Sequence, residues 1–131
     1  MSKAFKIYST TFFLFNLLLT MLIGQTTGKV SGKITDSQSG NPIIGANVII
    51  MDTYLGASTD SDGSYYILNI PPGKYDILIS YIGYKETKFE NVEISVNRTT
   101  ILSSSIEQSS LVGDAVIVKK SKTSVKKDQT G

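Results

Sequence analysis

The chain has 131 residues, which is enough for one domain of ordinary size with short tails. Apolar residues make up 40% of it, as in a globular protein. It contains neither Cys nor His, so disulfides, thiolate chemistry and the commonest general base are excluded. The net charge of +2 conceals an uneven distribution, because residues 25–118 hold six basic and ten acidic side chains, whereas residues 119–131 hold five lysines and one aspartate. We therefore expect no nucleic-acid partner for the body of the chain.

The first 24 residues have the pattern of a secretory signal peptide. Lys3 and Lys6 precede an apolar run at residues 12–23, and Gly24-Gln25 follows. A retained membrane anchor is the alternative, but a run of about a dozen residues is short against the roughly 20 that a spanning helix needs. We predict a signal peptide over residues 1–24, and therefore an exported protein.

From Gly28 onward the hydrophobic period changes to two. Val30, Gly32 and Ile34 alternate with polar neighbours, and turn residues recur every eight to twelve positions. This spacing is typical of a β-sandwich or barrel. We predict strands up to Ile106, with residues 85–90 as a solvated edge and residues 99–106 as the final strand.

The stretch from Gly56 to Tyr84 carries the strongest local signals. Asp62-Gly63 predicts a tight turn, because glycine takes a positive φ without steric cost, and Pro71-Pro72-Gly73 predicts the next reversal. By alternation Tyr65 and Ile67 share one face of the intervening strand, with their neighbours on the other. We predict a β-meander across this stretch.

The same stretch resembles the carboxypeptidase regulatory-like domain family. The residues that carry the resemblance are Gly45, Val48, Gly56, Thr59-Asp60, Asp62-Gly63, Tyr65, Ile67, Pro72-Gly73, Tyr75 and Ile82-Gly83-Tyr84. The resemblance implies a seven-stranded antiparallel β-sandwich of the immunoglobulin or transthyretin kind over residues 28–108. Residues 109–131 would then form a linker and a flexible tail.

In many Gram-negative bacteria such a domain precedes the plug of a TonB-dependent, SusC-like outer-membrane receptor. The resemblance therefore implies a non-catalytic periplasmic domain of a nutrient-uptake receptor. We expect the chain to be a fragment of it, connected to the outer membrane only through a plug and barrel that these residues do not include. The alternative is a free-standing secreted or cell-surface module that binds a glycan or a partner protein.

The tail contains a segment similar to the TonB box of these receptors, at Asp114, Ala115, Val116, Ile117 and Val118. The resemblance implies that the C-terminal domain of TonB binds this segment by adding a strand to it, where backbone hydrogen bonds supply affinity. Gly113-Asp114-Ala115 precedes the aliphatic residues, which departs from the usual pattern of the box. A further strand that closes the edge of the sandwich is the alternative.

Two other groups of residues are weaker candidates for binding. Asp60-Ser61-Asp62-Gly63 begins like a calcium loop, but position 69 is Asn where an EF-hand requires Glu, so a turn is favoured. Tyr54, Tyr66 and Tyr84 could form an exposed aromatic platform for a sugar, since alternation places Tyr65, Tyr75 and Tyr81 inward. We expect no metal and no cofactor.

The ten carboxylates of residues 25–118 occupy predicted turns and polar strand faces. General acid and base catalysis by carboxylates requires two of them close together with different pKa values, and no spacing in the sequence indicates such a pair. We therefore predict that the chain is not an enzyme.

Overall fold

The computed structural model describes residues 2–19, 24, 26–110, 117–120 and 124–127. The first element is the helix α1 (Ser2–Leu19), whose side chains from Ser2 to Asn16 are all exposed. Across the described residues, no helix combines the length and apolar character that crossing a membrane requires. The predicted signal peptide covers this helix, and it stays a prediction.

The rest of the described chain is a sandwich of two β-sheets. Its strands are β1 (Gly28–Asp36), β2 (Asn47–Ile50), β3 (Gly56–Ser58), β4 (Ser64–Ile70), β5 (Gly73–Ser80), β6 (Thr87–Ile94), β7 (Arg98–Ile101), β8 (Ser104–Ile106), β9 (Ile117–Lys120) and β10 (Ser124–Lys127). The first sheet has the order β10-β7-β1-β4, with β8 also paired to β1. The second has the order β3-β2-β5-β6-β9. The predicted all-β sandwich is confirmed.

The core lies between the inner faces of the two sheets. Alternation along each strand turns one apolar set inward, as predicted for β1 and β4. The largest fully buried side chains include Tyr65, Ile34, Ile50, Ile70, Ile77 and Ile79. Each such side chain contributes about 1.5–3 kcal/mol of burial free energy. The Tyr65 hydroxyl donates to the carbonyl of Leu102, so its one polar atom is satisfied.

The prediction of a meander over residues 56–84 is wrong, although both turns are correctly placed. Gly63 has a φ of 74°, and the Asp60 carboxylate accepts from the backbone amides of Asp62 and Ser64. However, β3, β4 and β5 alternate between the sheets, since β4 pairs with β1 whereas β3 and β5 both pair with β2. A turn signal does not distinguish a hairpin from an arch between layers. Here the Gly63 carbonyl accepts from the amide of Ile34, which fixes the turn to β1.

The described residues form ten strands where seven were expected. The predicted final strand is divided at Leu102-Ser103, because β7 pairs with Lys29–Ser31 whereas β8 pairs with Ile34–Asp36. The sheets are also not purely antiparallel, since β7 and β8 run parallel to β1, and β9 runs parallel to β6.

Two segments of the tail are strands, where a flexible tail was expected. β9 extends the second sheet next to β6, and β10 extends the first sheet antiparallel to β7. Without them, β6 and β7 would each present a row of unpaired backbone groups. The prediction of a solvated edge at residues 85–90 is wrong, because β6 has a neighbour on both sides. The alternation of polar and apolar residues there reflects one buried and one exposed face of the sheet.

Candidate functional site

The predicted TonB-box segment lies only partly within the described residues. Asp114, Ala115 and Val116 fall outside them, whereas Ile117 and Val118 are the first two residues of β9. Ile117 pairs with Thr87 and Val118 with Lys88, and the Ile117 amide donates to the carbonyl of Glu86 at 2.9 Å. The two described residues thus belong to the edge strand that was the alternative prediction. An edge strand has one free side, so β9 can still accept a further strand.

Lys119 links β9 to the opposite sheet. It points inward from β9, and its Nζ lies 3.5 Å from the hydroxyl of Ser104 and 3.3 Å from the carbonyl of Ser105. Lys119 is half-buried, whereas Val118 is 55% exposed on the outer face. The aliphatic part of the Lys119 side chain therefore crosses the gap between the layers at the edge of the sandwich, and its ammonium group holds the tail strand to β8.

The structure does not bring the three predicted platform tyrosines together. Tyr54 is fully exposed in the loop between β2 and β3, and Tyr66 is 66% exposed on β4 in the other sheet. Tyr84 is half-buried, which corrects the prediction that it is exposed. Its ring packs on Tyr81 with centroids 5.5 Å apart, because the turn through Gly83 folds these two side chains together.

Tyr81 and Tyr84 instead line a shallow groove of about 410 Å³ that the sequence did not indicate. Its other lining residues are Gly45, Asn47, Ser80, Ile82 and Glu86. An aromatic pair beside amide, hydroxyl and carboxylate groups can bind a small polar ligand that also has an apolar face. Ile82, at the rim, is 90% exposed.

A buried carboxylate, Asp36, connects three segments at the same end of the sandwich. One oxygen accepts from the Tyr84 hydroxyl at 2.7 Å and from the Gln108 amide at 3.2 Å. The other accepts from the backbone amides of Gln38 and Ser39 at 2.8 and 2.7 Å. The Tyr84 hydrogen bond, followed by the Ser39 amide, holds the pKa of Asp36 well below its usual range.

The sequence analysis assigned Asp36, like the other carboxylates, to a turn or a polar strand face and did not indicate this cluster. The local part could have been found, because an Asp followed three residues later by Ser is a common turn motif in which the carboxylate accepts backbone amides. The bonds from Tyr84 and Gln108 come from 48 and 72 residues away, so no local pattern indicates them.

The Asp60 to Gly63 segment is used as a turn. One oxygen of the Asp60 carboxylate accepts two backbone amides at 2.9 Å, and this bonding shapes the turn. Within the described part of the chain, no three acidic side chains stand close enough together to hold a metal ion.

These features define a class: an immunoglobulin-like β-sandwich module in which a strand of the tail, β9, forms one edge of the second sheet. A chain of a type II cohesin–X-dockerin complex from Acetivibrio cellulolyticus has the same kind of fold, with a TM-score of 0.51 and 29% identity over 58% of this chain and 51% of that one. More specifically, the profile of the CarboxypepD_reg-like domain matches residues 30–118, and the chain belongs to that family. The predicted family is therefore confirmed, and the matched region reaches into β9.

Two curated relatives are TonB-dependent receptors. The chain is 30% identical over 102 residues to TonB-dependent receptor P3 of Formosa agariphila, an alignment that covers 78% of this chain and 10% of the receptor. It is 36% identical over 83 residues to TonB-dependent receptor SusC of Bacteroides thetaiotaomicron, covering 56% of this chain and 8% of the receptor. The chain thus spans about a tenth of the length of these relatives, to which it is related as a receptor-associated domain.

Proposed function

We propose that this chain is the non-catalytic, periplasmic N-terminal domain of a TonB-dependent outer-membrane receptor for nutrient uptake. The observation that carries the proposal is the alignment with receptor P3, which includes 78% of this chain. Because the alignment includes only 10% of that receptor, transport itself would be the work of the remainder of such a protein. The role of this domain is to bind and to position a partner.

Within this proposal, residues 114–118 are the segment that the C-terminal domain of TonB engages. The position of Ile117 and Val118 in an edge strand supports it, since strand addition requires an extended segment with accessible backbone groups. TonB could pair with the free side of β9, or with the whole segment after β9 has left β6.

The first test is the size and location of the protein in its source cells. An antibody against residues 28–108 is used on fractionated membranes. A heat-modifiable band in the outer membrane, far larger than 131 residues, is expected. A small soluble or surface-bound band would contradict the receptor assignment.

A second test addresses the TonB segment. Val118→Pro removes a backbone donor from β9, whereas Val125→Pro makes the same change in β10, where the side chain is similarly exposed. Titration of the purified chain with the TonB C-terminal domain should give at least tenfold weaker binding for Val118→Pro and unchanged binding for Val125→Pro. Equal affinities for both variants and the parent would remove the TonB segment from the proposal.

A second candidate function is a free-standing secreted module that binds a glycan or a partner protein. The groove beside Tyr81 and Tyr84 favours it, because aromatic and hydrogen-bonding side chains converge there. Tyr81→Ala with Ile82→Ser should then abolish retention on a sugar-polymer or partner column. Tyr54→Ala, which alters a fully exposed tyrosine outside the groove, is the matched control.

A further inference from the structure

The outer face of the first sheet carries only lysine as a charged residue at the described positions of its strands. Lys29 and Lys33 on β1 and Lys126 on β10 point outward, as do Tyr66 and Leu68 on β4. The other outward positions of these strands are Ser, Thr, Asn and Ile. We call this surface the lysine face.

Strand register places the charges and the apolar side chains close together. Lys126 and Lys29 both pair with Thr99, so they lie in one row across three strands. In the rows that follow, Ser31 pairs with Tyr66. Since strands are about 4.8 Å apart, the four strands from β10 to β4 span about 14 Å. Tyr66 and Leu68 are 66% and 53% exposed within that width.

The opposite outer face has a different electrostatic character. There Lys88 is bound to Asp76 at 2.9 Å and to Glu90 at 3.3 Å, and Glu93 lies on the same strand as Glu90. Acidic and basic side chains thus neutralise one another on the second sheet. The net charge of residues 25–118 is negative. This sum does not show that the lysine face is basic whereas charges of both signs lie on the opposite face.

A shallow depression on the lysine face offers a place for an anionic group. It has a volume of about 350 Å³ and is lined by Lys33, Thr35 and residues 103–105, all serines. The Lys119 ammonium lies at its edge, on the Ser104 hydroxyl and the Ser105 carbonyl. The lining residues of the depression are donors without a carboxylate among them, and ammonium and hydroxyl donors match a phosphate oxygen.

We propose that the lysine face docks onto the surface of an anionic phospholipid bilayer. Each lysine near such a surface contributes about 1 kcal/mol of attraction, and a tyrosine and a leucine that project from the same face suit the headgroup level. Nucleic acid fits less well, because a stable complex uses about six to ten phosphate contacts and the protruding side chains are apolar. The bilayer proposal concerns this surface only and does not depend on the receptor assignment.

The test must report which face meets the bilayer, because the apolar helix α1 could also bind lipid. The chain contains no Cys, so one introduced Cys carries an environment-sensitive NBD dye. Leu68→Cys labels the lysine face, and Ile49→Cys, 42% exposed on the other outer face, is the matched control. Both labelled full-length chains are mixed with vesicles of phosphatidylcholine, with and without one third phosphatidylglycerol.

We expect at least a twofold rise in dye emission for Leu68→Cys with phosphatidylglycerol vesicles only, and no rise for Ile49→Cys. Adding Lys33→Glu and Lys126→Glu should weaken this response at least tenfold, and so should high salt, because the attraction is screened. The double variant Lys74→Glu, Lys120→Glu makes the same change of charge on the other face. It should leave the dye response of Leu68→Cys unchanged. The proposal would be overturned if both labels responded equally, if neutral vesicles gave the same response, or if neither label responded. It would also be overturned if the lysine face bound an acidic protein or nucleic acid in place of the vesicles.

Discussion

At the scale of single residues, Asp36 is the most connected polar side chain of the described structure. Its carboxylate accepts from the loop after β1, from Tyr84 before β6, and from Gln108 after β8. The Ser109 amide also donates to the Gly83 carbonyl, so the end of β8 is held beside the turn at Gly83. Together these bonds fix the point at which the chain leaves the sandwich toward β9.

The Asp36 cluster predicts a dependence of stability on pH. Hydrogen bonds from Tyr84 and the loop amides lower the pKa of Asp36 in the folded state, whereas the unfolded value is about 3.9. The ionised Asp36 carboxylate therefore stabilises the folded state fully above about pH 5. This stabilisation is lost progressively as the pH falls below about 4. Tyr84→Phe removes the largest cause of the shift, so its stability should fall less steeply with acid than that of the parent.

Urea titrations of the parent and of Tyr84→Phe between pH 7 and pH 2 measure this difference. The gap between their midpoints should be largest near neutrality and should narrow below pH 4. Asp76, whose pKa is lowered by Lys88, contributes equally to both proteins. A gap that stays constant over the whole range would disprove the role assigned to Asp36.

Gly63 predicts a steric effect that can be separated from backbone strain. Gly63 and Gly40 have nearly the same φ, 74° and 73°. A Cβ atom added at Gly63 would lie 2.6 Å from the carbonyl oxygen of Ile34, whereas a Cβ atom added at Gly40 would have no other atom within 4 Å. Gly40→Ala should cost about 1–2 kcal/mol for the left-handed conformation alone. Gly63→Ala should cost at least about 1 kcal/mol more, because backbone must also move. Equal unfolding free energies for the two variants would contradict this packing.

At the scale of elements, the pairing of β9 with β6 is the feature on which the proposed contact with TonB depends. Four residue pairs hold β9 on one side, and Lys119 provides a second attachment across the layers. A short parallel strand with a free outer side is weakly held compared with β5, which is paired on both sides. We therefore expect β9 to separate from β6 more readily than β5 separates from its neighbours.

Lys119 predicts how tightly β9 is held. Lys119→Met keeps the aliphatic stem but removes the ammonium bonds to Ser104 and Ser105, which should cost about 0.5–1 kcal/mol. Amide hydrogen exchange in β9 should then be about twofold to fivefold faster, with β5 unchanged. Lys120→Met, on the outward side of the same strand, is the control. Equal exchange rates in both variants would show that Lys119 does not anchor the strand.

At the scale of the whole molecule, the tail closes one side of both sheets. β9 covers β6 and β10 covers β7, whereas the opposite side ends in β3 and β4. Edge strands with free backbone groups promote association between chains. The tail strands therefore act as part of the sandwich, in addition to any role in binding a partner.

Truncation predicts the size of that contribution. A chain that ends at Ser110 keeps the core but exposes β6 and β7, so its unfolding free energy should fall by about 1–3 kcal/mol and it should self-associate. A chain that ends at Lys120 keeps β9 and should show a smaller effect. Urea titration and sedimentation velocity measure both properties. A shorter chain that is monomeric and equally stable would contradict the covering role of the tail.

Local sequence patterns were sufficient for strands such as β1 and β4 and for the two turns at Gly63 and at Pro71-Pro72. The alternation of Val30 and Ile34, or of Tyr65 and Ile67, identifies a strand with one buried face because side chains alternate at every residue. Gly63 and Pro71-Pro72 mark reversals because their backbone preferences are intrinsic. The family was also recognisable, since its motif residues lie close together in the chain.

Tertiary structure alone decided which strands are neighbours and which polar groups meet. The β3–β4–β5 stretch crosses between layers because each strand buries its apolar face against the other sheet, and a turn sequence is compatible with either arrangement. The Asp36 cluster, the pairing of Ile117 with Thr87, and the lysine face each unite residues distant in sequence. Such contacts depend on the register of the whole sandwich, which no single segment of the sequence contains.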